Sequence, residues 1–171
     1  YYKAISDVIK WHKQYPKDWE FTWALVNRDY GFDIGCPGGV LNPYDIDAVL
    51  NSAYIVIGLL YGDKNFYRTI DIATRCGADS DCNPSSAAGI LGTVLGFSGI
   101  PDYWKKPVYE VEDRNFKYTD ISLKRATELS MNQALQVIER NGGKVSGNDI
   151  TIKVQAPKAV RFEQSFVGHF P

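Results

Sequence analysis

Apolar side chains recur at helical spacing along most of the first 143 residues and at strand spacing only near the end. Ile5, Val8, Ile9 and His12 share one face of a first helix, over 1–14, where His12 fits a core or boundary position. "YPKDW" is a turn, and Asp18 marks the next helix start. Trp19, Trp23, Val26 and Tyr30 then form an aromatic stripe of the kind that faces a core. Residues 45–61 are apolar nearly all round, which predicts a central buried helix. Phe66, Ile70, Ala73 and Cys76 mark another, ending at Gly77. A small-residue helix is expected over 83–97, and a longer one over 118–143, with Thr119 or Asp120 as start signal and Gly142 as stop. The period drops to two in "DITIKVQ" and "AVRFEQSF", which read as two short strands separated by Ala156, Pro157 and Lys158. The pattern predicts an all-α region over 1–143 and a β-hairpin-like tail over 144–171.

Two stretches break the pattern. "GFDIGCPGGVLNPYD" (31–45) holds four glycines and two prolines in fifteen residues, a long connection of the kind that often carries function. "SGIPDYWKKPVYEVED" (98–113) reads as irregular. Inside the central helix Asn51 is the odd residue, because a buried amide must find partners. Either it bonds neighbouring backbone or it orients a site residue.

Composition narrows the class. The chain has 171 residues, 44% hydrophobic and 23% charged, enough for one domain with a real core. Its formal net charge is −1 and no basic run appears, which argues against a nucleic-acid partner. The longest apolar run, "AVLNSAYIVIGLLYG", is interrupted by Asn51 and Ser52 and is shorter than the roughly 20 residues that span a bilayer, so no membrane partner is expected. A soluble protein follows, cytoplasmic or periplasmic. Cys36, Cys76 and Cys82 match no zinc spacing and imply no disulfide. The chain begins at Tyr1 without a visible signal peptide, which points to processing or truncation.

The chemistry concentrates in "RCGADSDCNPSSAAGILGTVLG", Arg75 to Gly96. Asn83 and Pro84 make a helix start, with Asn as cap and Pro as first helical residue. Asp79 and Asp81 would then only complement the helix dipole. Alternatively, two carboxylates at i and i+2 of an extended loop share a side and can hold a hard cation. An EF-hand is excluded, because its required Gly and Glu positions are occupied by Pro84 and Ile90. Gly89, Gly92 and Gly96 lie on one stripe of the following helix, and each glycine costs roughly 1 kcal/mol against alanine, so close helix–helix packing is expected there.

From 45 to 105 the chain resembles the C-terminal half of the ADP-ribosylglycohydrolase family, which includes the dinitrogenase reductase-activating glycohydrolase and the ADP-ribosyl-arginine and ADP-ribosyl-serine hydrolases. The resemblance rests on "GADSDC", where the family has a Gly-x-Asp-Thr-Asp-Thr-like motif, on "NPSSAAGILGTVLG", on "IPDYW" and on Asn51-Ser52. It implies an all-α fold and a two-metal Mg²⁺ or Mn²⁺ centre that binds ADP-ribose and hydrolyses the bond at its anomeric carbon. Carried over by position, the metal ligands are Asp79, Asp81 and Cys82. Cys82 stands where the family usually has a hydroxyl, and a neutral thiol is a weak ligand for a hard cation. No early acidic cluster is present, so the resemblance implies that the centre is completed by a missing N-terminal half of the fold and leaves the catalytic residue unknown. Asn51 and Asn83 are the candidates for substrate contact. The implied partner is an ADP-ribosylated substrate or an ADP-ribose-like small molecule. The alternative is a non-catalytic binding or structural member of the same fold.

Overall fold

The computed structural model describes residues 1–31 and 47–156. Cys36, the body of the 31–45 connection, the expected helix start at Asp45 and the expected strand "AVRFEQSF" lie outside the described residues. The chain divides into two compact units, Tyr1–Pro107 and Val108 onward.

The first unit is built on helices α1 (Tyr2–Gln14), α2 (Trp19–Tyr30), α3 (Ala48–Gly62), α4 (Phe66–Arg75) and α5 (Cys82–Leu95). At three of the starts Asp18, Asp47 and Asn65 each cap the helix by accepting the backbone N–H three residues on. The nearly all-apolar α3 is the hub, packing against α1, α2, α4 and α5. Leu50, Ala53, Tyr54, Ile57 and Tyr61 on α3 join Val8, Trp11, Val26, Ile72 and Cys76 in one core. Trp19, Trp23 and Tyr30 pack against that core, as the aromatic stripe predicts. His12 is half-buried with its ring edge-on to Tyr61. The buried face of α1 is Ala4, Val8 and Trp11, one step round from the expected one, and Ile9 is exposed.

Helices α3 and α4 form an antiparallel pair joined by Asp63 and Lys64, both left-handed at φ 48° and 59°. Their approach is set by glycine. A Cβ at Gly58 would stand 2.8 Å from Ala73 Cβ, and one at Gly62 would overlap the Thr69 hydroxyl and lie 2.8 Å from Thr69 Cα. The close packing expected of Gly89, Gly92 and Gly96 is therefore elsewhere. Nothing lies within 4 Å of a Cβ at Gly89 or Gly96, and one at Gly92 meets Ile100 Cδ1 at 3.3 Å. The small-residue stripe of α5 turns outward, and Ile90 and Val94 beside it are exposed.

The segment 98–113, read as irregular, contains helix α6 (Asp102–Tyr109). Pro101 and Pro107 hid it: Pro101 stands just ahead of the first turn, where proline is tolerated, and Pro107 lies inside the helix. The Trp104 ring lies 5.8 Å from that of Phe66.

In the second unit α7 (Leu123–Arg140) starts at Ser122, whose hydroxyl accepts the Arg125 N–H, rather than at Thr119 or Asp120. It ends as the sequence predicts. Gly142 is left-handed at φ 82°, its N–H reaches the Glu139 carbonyl, and the Gly143 N–H reaches that of Ile138. The β tail is a hairpin of β1 (Lys144–Ser146) and β2 (Asp149–Thr151), with Ser146 opposite Asp149. "DITIKVQ" thus pairs upstream across Gly147-Asn148. Gly147, at φ 58°, occupies the first central position of a tight hairpin turn, where glycine is favoured.

Candidate metal centre

The acidic loop connects α4 to α5, and both of its ends are fixed. On the α4 side, the Trp23 indole N–H donates to the Cys76 carbonyl at 2.7 Å, tying α2 to the helix end. Cys76 is buried among apolar groups, which push its thiol up to about 12, so it is inert. The chain then turns through two left-handed residues, Gly77 at φ 86° and Ala78 at φ 54°. Glycine adopts that conformation freely, whereas alanine pays roughly 1–2 kcal/mol.

Asp79 and Asp81 follow, and Asp81, not Asn83, caps α5. The Cys82 N–H lies 3.2 Å from Asp79 Oδ1 and 3.0 Å from Asp81 Oδ1. The helix begins at Cys82, so Pro84 is its third residue, still in the first turn, where its missing N–H is harmless. Asn83 cannot cap because its amide is drawn inward. Asn83 Nδ2 donates to Asn51 Oδ1 at 2.8 Å and approaches the Gly77 carbonyl at 3.4 Å. Asn51 Oδ1 also accepts the Asp79 N–H at 3.3 Å. Asn51 and Asn83 are thus brought together beneath the turn, 6% and 1% exposed. Asn51 Nδ2 is buried and has no partner among the described residues.

Above the turn, one ligand atom from each of Asp79, Asp81 and Cys82 lies within 4.8 Å of the other two. Asp79 is half-buried; Asp81 and Cys82 are exposed. A hydrogen bond with the Asp79 side chain, then the Cys82 N–H, hold the Asp81 carboxyl below its ordinary range. The Cys82 thiol is pushed up, first by its hydrogen bond to Asp79 and then by the charges of Asp79 and Asp81. It is a neutral donor to Asp79 at ordinary pH. The donor set therefore suits a hard, oxygen-seeking cation at the two carboxylates, with Cys82 protonated beside them.

The sequence singled out all five of these residues. It did not signal the left-handed Ala78, since alanine carries no mark of that conformation. The Ser80 hydroxyl, between the two acids, donates to the Thr74 carbonyl at 3.1 Å and pins the loop back onto α4.

No curated protein and no solved structure matches the chain significantly. A family model, ADP-ribosylglycohydrolase, matches residues 1–138, which takes in the seven α-helices among the described residues nearly to the end of α7. With the acidic loop inside that match, the chain belongs to the ADP-ribosylglycohydrolase family.

Proposed function

We propose that this protein serves a metal-dependent hydrolase that cleaves the N- or O-glycosidic bond of ADP-ribosyl groups, with Asp79 and Asp81 as ligands to Mg²⁺ or Mn²⁺. The observation that supports this most is the convergence of the two carboxylates at the head of α5 in a chain of this family. When bound, a divalent cation would orient a water and the ribose hydroxyls and stabilise developing negative charge. Asp79 and Asp81 would hold it through carboxylate oxygens. Cys82, as a thiol, would stay hydrogen-bonded to Asp79, and would ligate only as thiolate. A two-metal centre needs more oxygen ligands than this loop carries. The reading assigns those ligands, and the general base, to an N-terminal half of the fold outside this chain.

One observation favours the second reading, a non-catalytic binding or structural member: a neutral thiol stands where a hydroxyl ligand is expected. A single assay separates the two. The complete gene product is incubated with ADP-ribosyl-arginine and ADP-ribosyl-serine peptides, with Mg²⁺, with Mn²⁺ and with chelator, and released ADP-ribose is measured. Cation-dependent release that is lost in Asp79→Ala supports the hydrolase. Absence of release, with a cation-dependent thermal shift on adding ADP-ribose, supports the binding protein.

A further inference from the structure

We infer that Asn51 and Asn83 form a buried amide clamp that holds the left-handed Gly77–Ala78 turn and so sets the position of the Asp79 carboxylate. The inference rests on the cation reading above and gives the two amides a positioning role instead of contact with substrate. The clamp has two side-chain arms on the turn. Asn51 Oδ1 accepts the Asp79 N–H and Asn83 Nδ2 donates to the Gly77 carbonyl, while the two amides bond each other at 2.8 Å. The Asn83 backbone adds a third arm, donating to the Asp79 carbonyl at 3.0 Å. Asn51 belongs to α3 and Asn83 to α5, so the turn is fixed against two helices that pack on each other.

The clamp is needed because the ties from α4, the Gly77 N–H and the Ser80 hydroxyl to the Thr74 carbonyl, do not reach the peptide between Ala78 and Asp79. Ala78 at φ 54° would relax to an ordinary conformation if released, and the peptide leading into Asp79 would rotate with it. Burying two amides in a core is unfavourable unless they are bonded, and Asn51 Nδ2 is left without a partner among the described residues. A protein selected for stability alone would place an apolar side chain at 51. The unfilled amide is retained because its oxygen is needed where the Asp79 N–H arrives.

Two quantities test this in the full chain: hydrogen exchange at the Asp79 amide, read by NMR without metal, and Mn²⁺ affinity, read by electron paramagnetic resonance. Asn51→Leu keeps the branched shape and removes the acceptor. It is expected to speed exchange at Asp79 by about tenfold, the effect of one lost hydrogen bond, while Ile57 in the core of α3 exchanges as before. Mn²⁺ affinity is expected to fall by about tenfold for the same reason. Adding Ala78→Gly removes the strain that the clamp opposes and should restore most of that affinity. A merely structural role for Asn51 would not be rescued at position 78. Should Asn51→Leu fail to fold, Asn83→Ala, which releases the Gly77 carbonyl, is read in the same way. Unchanged exchange at Asp79 overturns the clamp, as does an affinity loss that Ala78→Gly leaves uncorrected. If the unaltered chain binds no Mn²⁺, the cation reading fails separately, and the Asp79 exchange decides the clamp alone.

Discussion

Gly62 and Gly89 both lie in helices, and alanine at the two positions should move stability in opposite directions. At Gly62 a Cβ would overlap the Thr69 hydroxyl and come 2.8 Å from Thr69 Cα and Cβ. The hydroxyl can rotate away, but the Cα cannot yield unless α4 moves. Overpacking of this kind costs about 1–3 kcal/mol, and alanine returns at most about 1 kcal/mol of helix propensity. The net loss is about 1–2 kcal/mol, which lowers Tm by about 2–8 °C in a chain of this size. At Gly89, inside α5, nothing lies within 4 Å of the new Cβ, so only the propensity term acts. Gly89→Ala should gain about 0.5–1 kcal/mol and raise Tm by about 1–4 °C. Thermal unfolding followed by far-UV circular dichroism measures both. A Gly62→Ala protein as stable as the parent would refute the tight α3–α4 corner. A destabilised Gly89→Ala would show that the outer face of α5 is covered by something beyond the described residues.

Three further outcomes follow from the same structure. Burial raises the Cys76 thiol from 9.0 to about 12 and the Tyr54 phenol from 10.0 to about 12, so above those ordinary values the unfolded chain loses protons that the folded one keeps. Their stabilising contribution is whole below pH 9, falls by about 1.4 kcal/mol per pH unit for each titrating group as pH rises, and is gone near pH 12; urea unfolding should show Cys76→Ala losing stability less steeply than the parent between pH 9 and 10. Asp79→Ala and Asp81→Ala should each abolish stabilisation by Mg²⁺ or Mn²⁺ while costing no more than about 1 kcal/mol without metal, since each loses only one of two acceptors at the Cys82 N–H; a domain that melts in metal-free buffer would make the pair a plain helix entrance. Cys82→Thr should retain or strengthen Mg²⁺ binding in a calorimetric titration, because a hydroxyl suits a hard cation better than a thiol; a clear loss would show that the thiol itself is required.

The helical body was legible because its helices carry their own signals. Asp18 announces α2, a nearly all-apolar run announces α3, and Gly142 closes α7. Where the sequence misled, a local rule lost to a tertiary one. Pro101 and Pro107 masked α6, although Pro101 stands just ahead of its first turn, where proline is tolerated. A three-residue strand, β1, is too short to show a period, so its pairing with β2 went unread. Glycine spacing pointed to α5 as the tight helix, yet spacing alone does not say which way a stripe faces; Gly58 and Gly62 mark the real approach. At the site, Asp79, Asp81 and Cys82 stand within one motif, and the motif exposed them. Asn51 was conspicuous as an amide in an apolar helix, but its bond to Asn83, 32 residues away, belongs to the packing of α3 on α5. Ala78 gave no sign at all.

The central place of α3 also bears on the order in which the molecule assembles. Its pairing with α4, and that of α4 with α5, joins neighbouring segments through short connections, contacts that form quickly because little loop entropy is lost. The acidic turn takes its shape only after α5 has docked on α3, when Asn51 meets Asn83. A cation held there would therefore meet almost nothing to bind on the way up the folding barrier, and would leave the refolding rate unchanged while slowing unfolding. Metal would act on this protein as a lock on lifetime, felt in resistance to proteolysis over hours more than in the speed with which the chain first folds.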